Sequence, residues 1–92
     1  MGDIYRALAD PTRRALLDAL AAVNGQTLYA LCGALLERGI SPTRQAVSQH
    51  LAVLEDAGLV IVRRQGRYKF HDLDTRPLRE IAQRWPDTPG AT

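Results

Sequence analysis

The chain is poor in several things, and each shortage excludes something. It holds one cysteine, Cys32, so no disulfide can form within it, and a reducing, cytoplasmic setting is the simplest expectation. A single thiolate also falls short of the roughly four ligands that a zinc site takes. The aromatics are three Tyr, one Phe and one Trp, which leaves Leu, Val, Ile and Ala to build the core. No apolar run approaches the ~18 residues of a membrane span, and no basic-then-apolar leader is present, so no membrane partner is expected. There is no Gly-x-Ser-x-Gly elbow and no glycine-rich phosphate loop. Ser48 and His50 are neighbours but not an i,i+3 or i,i+4 pair, and the ten acids are scattered. Neither an enzyme nor a cofactor is expected.

What is present fits one small globular domain: 92 residues, 46% hydrophobic and 24% charged. Residues 1–85 read as that domain. The tail 86–92, "PDTPGAT", is rich in Pro and Gly and reads as disordered. A core this small gains from self-association. The net charge is only +2, but it is unevenly spread. Residues 60–71 hold Arg63, Arg64, Arg67 and Lys69 and no acid, twice the charge of the whole chain in one short segment.

Periodicity orders the chain as four helices, a hairpin and a last helix: mainly α with a small β-hairpin. Residues 3–8 suit a short opening helix. Asp10-Pro11 starts a second, with Asp10 as cap and Pro11 in the first turn. Leu16, Leu17, Leu20 and Val23 follow at helical spacing, and Asn24-Gly25 stops the run. In residues 27–38, Leu28, Leu31, Cys32, Leu35 and Leu36 form one buried stripe, with Cys32 as core filler, and Gly39 closes the helix in a left-handed conformation. The next helix, 43–57, is capped by Ser41 or by Thr43. Val47, Leu51 and Leu54 are its central apolar line, and His50 beside them takes a structural, hydrogen-bonded role. Beyond Gly58 the period becomes alternating. "LVIVRR" and "RYKFHDL" read as two strands joined at Gln65-Gly66, which pairs Arg64 with Arg67, Arg63 with Tyr68, Val62 with Lys69 and Ile61 with Phe70. Residues 75–85 form the last helix, with Leu78, Ile81, Ala82 and Trp85 on one stripe.

Helices 27–38 and 43–57, joined by a short connection, are a helix-turn-helix candidate. The second helix gathers Arg44, Gln45, Ser48 and Gln49 on one face near its N-terminus, and small Ala52 follows. Arg can pair with guanine, Gln with adenine, and Ser with a base or a phosphate, and the major groove admits a helix. A cationic hairpin directly afterwards suits the flanking phosphate backbone. A solvated polar face and a charged edge hairpin are the bland readings of each feature alone; their succession favours DNA.

From "ALADPTRRALLDAL" through "RQAVSQHLAVLEDAGLV" to "RRQGRYKFHDL", roughly residues 3–85, the chain resembles the ArsR-type winged-helix transcriptional repressors of bacteria and archaea. The resemblance implies a homodimer on a near-palindromic operator in double-stranded DNA. Helix 43–57 then corresponds to the recognition helix, with Thr43 and Arg44 among the DNA contacts and Gln45, Ser48 and Gln49 as base readers. Arg63, Arg64, Arg67 and Lys69 become wing contacts. The first and last helices become the dimer elements, through Ile4, Leu78, Ile81 and Trp85. The alternative is a winged helix that binds protein rather than DNA.

The chain departs from the family in its sensing motifs. A Cys-x-Cys pair on the helix before the recognition helix is one family metal site; here "TLYALCGALLE" has Cys32 alone. A second site uses carboxylates and histidines on the C-terminal helix, where Glu80 is the only acid and there is no His. "HDLD" at 71–74 reads as a strand end and a helix cap. No inducing metal is expected, and no inducer is identifiable.

Overall fold

The computed structural model describes residues 2–88. Its elements are α1 (Ile4–Leu8), α2 (Pro11–Ala22), α3 (Leu28–Glu37), α4 (Arg44–Asp56), β1 (Val60–Gln65), β2 (Tyr68–Leu73) and α5 (Arg76–Arg84). The order is the one the periodicity gives. Of the tail, residues 86–88 continue past α5 without regular structure, and 89–92 lie outside the described residues.

Helix starts follow from side-chain oxygens that accept otherwise orphaned backbone N–H groups. Asp3 Oδ1 accepts from Tyr5 N at 2.9 Å, Asp10 Oδ2 from Arg13 N at 3.0 Å, and Thr27 Oγ1 from Ala30 N at 3.2 Å. Thr43, not Ser41, caps α4: its Oγ1 accepts from Ala46 N at 3.0 Å. At α5 the cap comes one residue earlier than the helix boundary suggests. Asp74 Oδ1 accepts from Arg76 N at 3.0 Å, and Thr75 makes no side-chain cap bond. Gly39 closes α3 at φ 76°, as expected.

The core joins Leu16 and Leu20 of α2, Leu31 and Leu35 of α3, Val47, Leu51 and Leu54 of α4, and Leu59 and Val60 at the entry to β1, all nearly or wholly buried. Cys32 is half-buried and packs against this cluster. Two expected core residues lie outside it. Leu36 is 59% exposed, because α3's buried face centres on Leu31 and Leu35 and the next residue is turned ~100° away. Val23 is 63% exposed. It follows the last turn of α2 in extended backbone (φ −139°, ψ 105°), where helical spacing no longer aims it inward.

The hairpin corrects the expected register. The strands pair Gln65 with Tyr68, Arg64 with Lys69, Arg63 with Phe70, Val62 with His71, Ile61 with Asp72 and Val60 with Leu73. The turn is therefore Gly66-Arg67 rather than Gln65-Gly66, and Ile61 and Phe70 do not pair. Two-residue hairpin turns need positive φ at the first central position. Only Gly66 supplies it, at 60°, and no non-glycine residue among those described has positive φ, which is the φ pattern of a type II′ turn. Centring the turn on Gln65-Gly66 would have put glutamine there. Gln26 adds a single antiparallel bridge to His71, so the hairpin is tied to the segment between α2 and α3.

Candidate nucleic-acid interface

α4 lies on α2, α3 and β1 with Val47, Leu51 and Leu54 inward. The residues between them must then face out. Arg44, Gln45, Ser48, Gln49 and Ala52 are all exposed. Among the described residues, none of the four polar side chains makes a hydrogen bond within the chain, so their donors and acceptors are free for a ligand. Thr43 is exposed too, but its hydroxyl is engaged as the cap.

The pleat divides the wing residues into two sets. Arg64 and Lys69 share the face that, nearer the core, carries Val60, Val62, His71 and Leu73. That face looks towards α4: Lys69, Val62 and His71 line one crevice with Ser48, Leu51 and Leu28. Arg67 sits at the turn, and Arg44 lines a second groove with Arg67 and Lys69. The fold thus brings Arg44, Ser48, Arg67 and Lys69 together. Arg64, Arg67 and Lys69 have no ion-pair partner among the described residues.

Arg63 falls on the opposite face. Its guanidinium pairs with both carboxylate oxygens of Asp72 and lies over the Phe70 ring, 5.5 Å from the centroid. The Arg63 hydrogen bond holds the Asp72 carboxyl below its ordinary range, and Asp72 in turn raises Arg63. This cation is already matched, so it does not join the free set with Arg64, Arg67 and Lys69. Arg64, Arg67 and Lys69 are the wing cations without an internal ion pair among the described residues.

His50 is turned away from the polar face of α4. Its Nδ1 lies 3.3 Å from Arg13 Nη1 and 3.9 Å from an Asp10 oxygen. Arg donates and never accepts, so in this hydrogen bond Nδ1 is the acceptor. Arg13 also donates from Nε to Ala7 O at 2.8 Å and from Nη2 to Arg6 O at 2.9 Å. One guanidinium therefore fastens the end of α1 to the middle of α4. Asp10, held below the usual carboxylate range chiefly by the Arg13 backbone N–H, completes the junction. The role of "DPTRR" in that junction was not legible in the sequence, because it depends on a residue 37 positions away.

The metal-like "HDLD" residues are occupied. His71 is buried and its Nδ1 donates to Gln26 O at 2.8 Å, Asp72 holds Arg63, and Asp74 holds the Arg76 guanidinium, which with the Arg76 backbone N–H lowers the Asp74 carboxyl to about 2. No cluster of three His, Cys, Asp or Glu suited to a metal occurs among the described residues.

Of the expected dimer residues, Ile4 sits on α1, Leu78 and Ile81 on α5, and Trp85 just past its end. The first three are half-buried and Trp85 is 63% exposed. Tyr5, which the sequence reading does not single out, packs beside Trp85. Its ring meets Trp85 edge-on at 6.1 Å, and Arg84 stacks on Trp85 at 4.8 Å while reaching the Tyr5 hydroxyl at 3.4 Å.

A helix-turn-helix domain family model matches residues 8–63. The chain is 45% identical over 83 residues to an uncharacterised HTH-type transcriptional regulator, YuzN, of Bacillus subtilis, covering 89% of this chain and 90% of that one. It is 30% identical to the transcriptional repressor SdpR of the same organism, covering 87% and 82%. A solved homodimeric winged helix-turn-helix DNA-binding domain from Mycobacterium bovis, a possible ArsR-family regulator, superposes with a TM-score of 0.67 at 28% identity, covering 86% of this chain and 68% of that one. With a recognition-type helix on a three-helix core, a hairpin wing beside it and relatives of this kind along most of its length, the chain belongs to the ArsR-type winged helix-turn-helix transcriptional regulators.

Proposed function

We propose that this protein is a homodimeric, sequence-specific repressor that acts in the cytoplasm on operator DNA. The observation that carries the reading is the exposed face of Arg44, Gln45, Ser48 and Gln49, free of internal partners, beside the unpaired cations Arg64, Arg67 and Lys69. Gln45, Ser48 and Gln49 read base edges in the major groove, and Arg44 contacts a base or a phosphate. The wing cations hold the flanking backbone. Dimerisation through α1 and α5 sets two recognition helices in successive major grooves, about one helical turn apart. The repressing sign follows the repressor SdpR, and the dimer follows the homodimeric domain from Mycobacterium bovis.

A winged helix that docks on protein instead would present apolar side chains on α4. The outward face of α4 offers little of this kind: Val53, 39% exposed, is its one exposed large hydrophobic residue. Binding to genomic fragments, the protein's own promoter included, at two salt concentrations tests the proposal. A fragment-selective complex is expected, weakening by ~0.9 log unit per phosphate contact per log unit of salt. No selectivity at either concentration would remove the repressor reading.

A further inference from the structure

Between the start of α3, the start of α4 and the tip of the hairpin runs a groove of about 460 Å³, lined by Thr27, Tyr29, Arg44, Arg67, Tyr68 and Lys69 among others. It carries three cations and no acid. Two tyrosines border it, Tyr29 at 79% exposure and Tyr68, which reaches it from the hairpin face shared with Phe70, at 62%. Neither phenol makes a hydrogen bond within the chain among the described residues. The Tyr68 ring leans on Phe70, with centroids 6.2 Å apart.

Duplex geometry says what must cross this place. Adjacent major and minor grooves are separated by one sugar–phosphate strand. A protein with its recognition helix in the major groove and its hairpin on the neighbouring backbone straddles that strand. The strand then runs between the first turn of α4 and the hairpin tip. Tyrosine suits such a neighbour, since its apolar ring can pack on deoxyribose while its hydroxyl donates to a phosphate oxygen.

We propose that the groove seats this sugar–phosphate strand and that Tyr29 and Tyr68 grip it, while Arg44, Arg67 and Lys69 neutralise its charge. The inference rests on the DNA-binding reading above and extends the contact surface to the start of α3. A phenol contact has a signature that separates it from a cation: it adds affinity for every sequence alike and leaves the salt dependence unchanged.

Tyr29→Phe, Tyr68→Phe and the double variant remove only the hydroxyls of exposed residues. Each single change is expected to weaken binding about fivefold, and the double change about 30-fold, equally on a selected and an unrelated duplex. The slope of log affinity against log salt stays at the parent value, whereas Lys69→Ala lowers it by ~0.9. Tyr29→Ala, which also removes the ring, weakens binding further than Tyr29→Phe. Ethylating the phosphates of the selected duplex one at a time gives a second readout. Ethylating the strand phosphate between the two grooves should cost the parent protein more than it costs the double variant, whose cations still meet that phosphate. If the parent binds selectively and the double variant matches it on both duplexes, the groove assignment is overturned and the repressor reading stands. A loss confined to the selected duplex overturns it too, since the tyrosines would then be reading bases. If the parent itself shows no selective, salt-dependent binding, the repressor reading fails first, and the groove assignment with it.

Discussion

In α4, Val47, Leu51 and Leu54 are covered almost completely by α2, α3 and β1. In α5, Leu78 and Ile81 are only half covered, no residue is fully buried, and Trp85 stands 63% exposed. Both helices are amphipathic, with an apolar stripe at helical spacing. The stripe of α4 is satisfied inside the subunit, which holds the helix rigid and leaves its polar face for a ligand. The stripe of α5 is not satisfied, and an apolar stripe left half in water favours a second copy of the chain. The same sequence pattern thus anchors one helix inside the subunit and, in the proposed dimer, is left for association in the other.

The largest expected break in this contrast is Leu54→Ala. It empties a fully buried position, and a loss of about 2–5 kcal/mol is expected in urea or thermal unfolding. In a domain of this size that is a large share of the total. An equal loss from Leu78→Ala at subunit concentrations too low for dimers would erase the distinction between the two helices. Trp85→Ala is expected to act on association instead. About 2 kcal/mol of dimer affinity should go, read as a dissociation constant roughly 30-fold higher by sedimentation, while helix content stays near the parent value. An unchanged dimer would move the interface elsewhere.

Gln49→Ala probes the free face of α4. It should leave stability unaltered and cost about 1–3 kcal/mol of discrimination at one base position. Arg64→Ala should weaken binding to all sequences alike; equal, sequence-independent losses from both would end the division of labour between helix and wing. Thr43→Ala removes the α4 cap and should cost about 1 kcal/mol of stability, with Thr43→Ser restoring most of it. The smallest effect is expected from Arg63→Ala. Its cation is matched by Asp72, so its removal should change the salt slope of DNA binding far less than Arg64→Ala does. A matching drop in slope would show that Arg63 leaves Asp72 to meet the backbone.

Much of the architecture was legible because it is local. The cap at Asp10, the stop at Gly39 and the buried stripe of α4 follow from a few adjacent residues. Local rules fail past their range. Helical spacing extends to Val23, but α2 ends before it. Alternation alone does not distinguish a Gln65-Gly66 turn from Gly66-Arg67, the one that puts the glycine at the first central position. That choice sets which wing residues face each other, and only the observed register puts Arg63 opposite Phe70 and within reach of Asp72. Tyr29 carried a readable signal, since it lies off the Leu28–Leu31–Leu35 stripe and so had to be exposed. Its nearness to Tyr68 did not.

By itself the sequence determined the elements, the apolar face of α4 and the polar set Arg44, Gln45, Ser48 and Gln49, because helical period and capping act over a few residues. Only the tertiary structure decided which wing cations are free, that Arg13 ties α1 to His50, and that Tyr29 and Tyr68 flank one groove. Those outcomes depend on pleat register and on packing between segments tens of residues apart, where no local preference of the chain can specify the distance.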